Sequence, residues 1–130
     1  MSTTIPILRL GPVLLISVQV ELQDATAEAL QQDILEQLEQ TDADAVVIDI
    51  SGLDVVDSFI ARVLTDTASM ARLLAARCVI VGMKPEVAMV LLEMGLVLPE
   101  LETALDVRAG LLRLGYALRR VAGEVEGGRA

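Results

Sequence analysis

Residues 45–81 read AVVIDISGLDVVDSFIARVLTDTASMARLLAARCVIV, and this stretch decides the fold. At its two ends lie short, β-branched, nearly uninterrupted apolar runs, Ala45-Val46-Val47-Ile48-Asp49-Ile50 and Cys78-Val79-Ile80-Val81. Runs of that kind suit strands covered on both faces. Between them, Ser58 to Ala76 places Ile60, Val63, Leu64, Ala68, Ala71 and Leu74 or Ala75 along one face of a helix. A strand, a helix and a strand over about 30 residues predict a right-handed crossover between two parallel strands.

Working outward, Ile5 to Leu10 and Val13 to Val20 flank Gly11-Pro12 and predict a hairpin. Asp24 is the expected cap of a helix whose positions Ala27, Leu30, Ile34, Leu35 and Leu38 share a buried face, with Glu28, Gln32, Glu36 and Glu39 outward. On the other side, Pro85 at a first helical position and Gly95 past the end bracket a helix over Glu86 to Met94. Leu96-Val97-Leu98 is expected to form a brief edge strand. Thr103 with Asp106 resembles a capping box and opens a last helix through about Arg120, loosened by Gly110 and Gly115. The order predicts an α/β fold: a small mixed sheet of four to five strands with about four helices. Residues 1–120 are expected to make a single domain, and 121–130, rich in glycine and charge, a disordered and dispensable tail.

Composition narrows the chemistry. The 130 residues hold 19 acids, 10 bases and no histidine, for a net charge of −9. Without histidine there is no Ser-His-Asp or Cys-His pair, no imidazole base and no His-ligated metal. Cys78 stands alone, so it makes neither an internal disulfide nor a thiolate zinc cluster. Phe59 and Tyr116 are the only aromatics, and an acidic chain lacks the basic face that phosphate backbones need; nucleic acid is not an expected partner. Mean hydropathy is +0.60, yet the longest strictly apolar run, Val87 to Leu92, is far below the roughly 20 residues of a spanning helix. The first residues carry no basic region ahead of their apolar stretch, so neither a secretion signal nor a membrane is expected, and the location is expected to be cytoplasmic.

The segment Ser51 to Ile60 leaves the central strand and enters the long helix, where parallel sheets gather their sites and helix N-termini offer free N–H groups. Asp57 or Ser58 caps that helix. Ser58 has no histidine or neighbouring lysine to deprotonate it, so it makes a poor catalytic nucleophile. As a phosphoacceptor it needs no base of its own. A phosphate there adds about −1.5 to −2 charge, favoured by the helix dipole and opposed by Asp54 and Asp57. Ser58, Arg62, Asp66 and Ser69 share one helix face, either a solvated stripe or a docking surface, and Arg62 is placed to reach a phosphoserine four residues back. A second class of reading compares Lys84, Asp49 and Asp54 with receiver domains that phosphorylate an aspartate with Mg²⁺. Leu10-Gly11-Pro12 lacks the acid pair such domains carry after their first strand, and two loop acids do not make a metal site. A nucleotide-binding module would need a Gly-rich phosphate loop, which is missing.

Five ordered motifs carry a family resemblance over about residues 5–120: Ile5-Pro6-Ile7-Leu8; Val47-Ile48-Asp49-Ile50; Asp57-Ser58-Phe59-Ile60-Ala61 with Val63-Leu64; Gly82-x-x-Pro85-x-Val87-Ala88; and Glu93-Met94-Gly95 with Glu102-Thr103-Ala104-Leu105-Asp106. The chain resembles the STAS-domain anti-sigma-factor antagonists, most of all the RsbS type of stressosome scaffold. The resemblance implies a STAS fold, no enzymatic activity and no cofactor. It implies that Ser58 is phosphorylated by an RsbT-like serine kinase of the GHKL ATPase class and relieved by an RsbX-like phosphatase. It also implies an RsbR-like co-antagonist, a homodimer and a large hetero-oligomeric assembly that holds the kinase until phosphorylation releases it toward a stress response or related output. Asp54, Asp57, Phe59, Arg62, Asp66 and Ser69 are the candidate partner contacts. Sporulation-type antagonists carry a glycine soon after the acceptor, where this chain has Phe59-Ile60-Ala61, and this favours the RsbS type. Co-antagonists carry a further threonine near the start of the first helix; Asp24 occupies that neighbourhood, so one principal acceptor is expected.

Overall fold

Gly11 and Pro12 turn the first corner. Strand β1 (Ile7–Leu10) runs antiparallel to β2 (Val13–Ser17) with Leu10 opposite Val13, and Gly11 takes φ +57. A left-handed glycine followed by proline, whose ring holds φ negative, matches the two-residue turn that follows the natural twist of a hairpin. The structure is a computed structural model that describes residues 5–19, 21–97 and 101–117. Val20, Leu98, Leu118 to Arg120 and the expected tail 121–130 lie outside the described residues.

From β2 the chain continues through α1 (Asp24–Gln40), β3 (Ala45–Asp49), α2 (Ser58–Leu73), β4 (Arg77–Val81), α3 (Pro85–Glu93), β5 (Glu102–Ala104) and α4 (Val107–Arg113). The strands lie in sequence order, β1-β2-β3-β4-β5, with β2, β3, β4 and β5 parallel to one another. Alternate side chains divide between two layers, as the period of two requires. Leu14, Ile16, Val46, Ile48, Cys78 and Ile80 meet α1, α2 and α3. Val13, Val47, Val79 and Val81 face the other way, toward Leu111 of α4. Two-sided burial is why β3 and β4 read as unbroken apolar runs. The cover on the second side is a helix of seven residues, and at the hairpin edge Leu8 and Leu10 remain 56% and 44% exposed.

Several sequence expectations are corrected. Asp24 is not the cap of α1; Gln23 holds that place and Asp24 is the first helical residue, where its charge faces the positive helix end. Leu35 is only partly buried. Helix α2 stops at Leu73 rather than Ala76, because Ala75 turns left-handed (φ +65) and the Ala76 N–H bonds back to the Ala71 carbonyl. The edge strand is not at Leu96-Val97, which are non-strand; it is Glu102–Ala104. Thr103 therefore sits in a strand, and Asp106 is itself the cap of α4, accepting from the Ala109 N–H at 2.9 Å. Helix α4 ends at Arg113, with Gly115 at φ +93 just beyond, instead of running toward Arg120. Gly110 does not loosen that helix. A Cβ there would lie 2.8 Å from Val81 Cγ1, so glycine lets α4 seat directly on the sheet.

One polar clasp fixes β5 and α4. Glu102 accepts from Arg77 through both oxygens (2.6 and 3.0 Å) and from Arg113 Nε (3.2 Å). The Arg77 hydrogen bonds hold its carboxyl below the ordinary value, against partial burial, with Arg113 adding to them. Cys78 is enclosed in β4, and burial pushes its thiol up to about 12. No helix among the described residues is long and apolar enough to cross a membrane.

Candidate functional site

Three connections meet at the carboxyl ends of β2, β3 and β4. After β3 the chain stays in the core for one residue: Ile50 is buried and donates to the Val81 carbonyl at 2.9 Å. A tight turn over Ser51-Gly52 follows, closed by the Leu53 N–H on the Ile50 carbonyl and by the Ser51 N–H on Asp49 Oδ1, each at 2.9 Å. Gly52 is required because a Cβ would lie 2.4 Å from the Val18 carbonyl oxygen in the β2–α1 connection. Gly82, at φ +75 after β4, is as constrained: its Cβ would come within 2.8 Å of Ser51 Cβ and 2.9 Å of Asp49 Oδ1. The turn is thus wedged between its neighbours. Leu53 and Val56 anchor the rest of the loop in the core, while Asp54 and Val55 point into solvent.

Helix α2 begins where the loop ends. Asp57 is extended (φ −89, ψ 178) and its carboxylate accepts from the Ile60 N–H at 2.9 Å, so Asp57 is the cap. Ser58 is the first helical residue, exposed, and its hydroxyl makes no hydrogen bond among the described residues. The choice that the sequence left open between Asp57 and Ser58 resolves in a way that leaves the serine oxygen unused. Phe59 stands beside it at 38% exposure, and Ile60 and Ala61 turn into the core.

The other predicted site residues are placed as follows. Arg62 is exposed, while Asp66 and Ser69 are half-buried. The stripe from Ser58 to Ser69 extends about 16 Å down the helix, at 1.5 Å per residue, away from the loop. Asp54 pairs with Lys84, the only lysine of the chain, and so ties the β3–α2 loop to the start of α3. Asp49 is occupied by the Ser51 backbone and is partly buried. Among the described residues no group of three acids or cysteines is arranged to hold a metal ion.

Spacing missed one feature. Beside Asp57 lies a cleft of about 300 Å³, between Glu21 and Leu22 of the β2–α1 connection and Val55, Val56 and Asp57 of the loop, with Ile60 beneath. Glu21 and Leu22 are far from Ser58 in sequence, and only the parallel pairing of β2 with β3 brings the two connections together.

This architecture has known counterparts. The family model described as "STAS domain" matches residues 4–109. The chain belongs to the STAS domain family. A solved structure of Moorella thermoacetica RsbS S58E superposes with a TM-score of 0.79 at 35% identity, over 87% of this chain and 96% of that one. A structure of the stressosome, described as a signal integration and transduction hub, contains a chain matching at a TM-score of 0.75 and 37% identity over 85% of this chain and 96% of that one. In sequence, the RsbT co-antagonist protein RsbRA of Bacillus subtilis is 27% identical over 65% of this chain. The chain spans about a third of the length of such curated relatives, 31% for RsbRA. The five-stranded mixed sheet with four helices is thus the STAS fold, as the sequence motifs imply.

Proposed function

We propose that this STAS protein is a non-enzymatic scaffold and antagonist in a stressosome-type assembly, and that Ser58 is its switch. The observation that carries the reading is the Ser58 hydroxyl: exposed, at the first turn of a long helix, and released from capping by Asp57. In the transfer, Ser58 Oγ attacks the γ-phosphorus of ATP, its proton passes to a base of the kinase, and ADP leaves. The chain supplies position and the kinase supplies chemistry.

The names of the relatives support the partners. RsbRA is an RsbT co-antagonist, a similar chain stands in a stressosome, and the Moorella protein was solved with a serine exchanged for an acidic residue. That likeness supports an RsbT-like serine kinase and an RsbR-like co-antagonist in a hetero-oligomer; the RsbX-like phosphatase, the homodimer and the cytoplasmic location rest on the family resemblance of the sequence motifs. The unphosphorylated protein holds the kinase against the loop, with Phe59 and the acids Asp54 and Asp57 as contacts; Arg62, Asp66 and Ser69 extend that face. A phosphate adds about −1.5 to −2 charge and three hydrated oxygens at the point of closest fit, and the kinase lets go.

The test is intact mass and site mapping after incubation with the kinase and ATP. One phosphate on Ser58 is expected, absent from Ser58→Ala and resistant to hydroxylamine. An acceptor elsewhere, or a hydroxylamine-labile acyl phosphate on Asp49 or Asp54, overturns the proposal. Ser58→Asp is expected to weaken kinase binding with an unchanged circular dichroism spectrum.

A further inference from the structure

We infer that the cleft beside Asp57 seats a basic side chain of the kinase, an arginine carried on an apolar-flanked segment; this rests on the reading of Ser58 as acceptor. The walls specify that occupant. Leu22 and Val55 offer apolar surface, and Val55 is 59% exposed although the loop around it is anchored in the core. Glu21, from the β2–α1 connection, and Asp57, from the end of the β3–α2 loop, both line it with carboxylates. Glu21 makes no ion pair or side-chain hydrogen bond among the described residues, and Asp57 uses one oxygen on the Ile60 N–H.

Among the described residues no cation lines the cleft. Lys84 is held by Asp54, and Arg9, Arg77 and Arg113 pair with Asp42 or Glu102. A long side chain with an apolar stem and a charged head matches both wall types. Guanidinium fits better than ammonium, being more weakly hydrated and able to donate to two carboxylates at once.

Size points the same way. At about 300 Å³ the cleft is at the lower limit for small-molecule sites and ample for one side chain. The net charge of −9 steers a basic partner toward it. Because the carboxylates and not Ser58 Oγ form the seat, charge complementarity serves docking, while phosphorylation acts on the fit over the adjacent hydroxyl.

The experiment is steady-state phosphorylation of Ser58 by the RsbT-class kinase of the same organism, with Glu21→Gln, Val55→Ser and, as a control at the far end of α1, the exposed Glu39→Gln. Glu21→Gln and Val55→Ser are expected to raise KM about three- to tenfold with kcat unchanged, as loss of uniform binding requires. The Glu21→Gln effect should shrink at high salt, and Glu39→Gln should match wild type. A Glu21→Gln KM within about twofold of wild type, or an equal rise in Glu39→Gln, overturns the seat while Ser58 stands as acceptor. Wild type left unphosphorylated on Ser58 overturns the acceptor and the seat together.

Discussion

Asp57 and Ser58 are adjacent and both exposed, yet only the Asp57 carboxylate caps α2, while the Ser58 hydroxyl makes no hydrogen bond among the described residues. Their substitutions should therefore separate in a urea titration. Asp57→Ala removes a cap and is expected to cost about 1 kcal/mol, within the 0.5–2 kcal/mol of such losses. Ser58→Ala breaks no hydrogen bond and should stay within about 0.5 kcal/mol of wild type. Equal losses would mean that the serine oxygen shares the capping work. The sequence locates the helix start because a polar pair precedes an apolar face, but both residue types cap well, and only the backbone angles choose between them. Glu21 and Leu22 were illegible for a different reason. Nothing in their own neighbourhood marks them; they matter through what the second connection brings beside them.

Elements were legible in proportion to their apolar pattern. Strands β3 and β4 and helix α2 declare themselves because burial on fixed periods leaves its mark on the residue order. Strand β5 is Glu-Thr-Ala, with no apolar run at all, and the more apolar Leu96-Val97 misdirects the reading. What makes Glu102–Ala104 a strand is tertiary: the open edge of β4 and the clasp of Arg77 and Arg113 on Glu102. That clasp carries a pH dependence. Folding lowers the Glu102 pKa, so its stabilisation is fully present above the ordinary value of 4.5 and is lost as pH falls through the lower folded value. With both arginines about half exposed, its worth is on the order of 1 kcal/mol. Glu102→Gln should be less stable than wild type at pH 7, and the gap should narrow in urea melts as pH falls below 4.5 and through the lowered folded value. A gap independent of pH would contradict the ionic account.

On the scale of the molecule, strands in sequence order make every sheet pairing one between chain neighbours, and the two cores share the same central strands. Three helices insulate one side, and on the other the short α4 sits flush through Gly110. The order of elements was legible as a whole because each hydrophobic run has one adjacent partner to pair with. The loops that converge at one end carry Glu21, Asp54 and Asp57, and under the proposed function this is the end the kinase meets. Cys78 supplies a clock for this architecture. Enclosed in a central strand with its thiol raised to about 12, it is shielded both sterically and by its lack of thiolate at neutral pH. Alkylation by iodoacetamide should proceed only through openings that unzip β4, at a rate suppressed by about a thousandfold or more relative to the urea-unfolded chain for a domain of ordinary stability. Labelling at more than about a tenth of the unfolded rate would show the sheet opening locally. One sulfur atom thereby reports how often the centre of the sheet breathes, without a probe added to any surface a partner would touch.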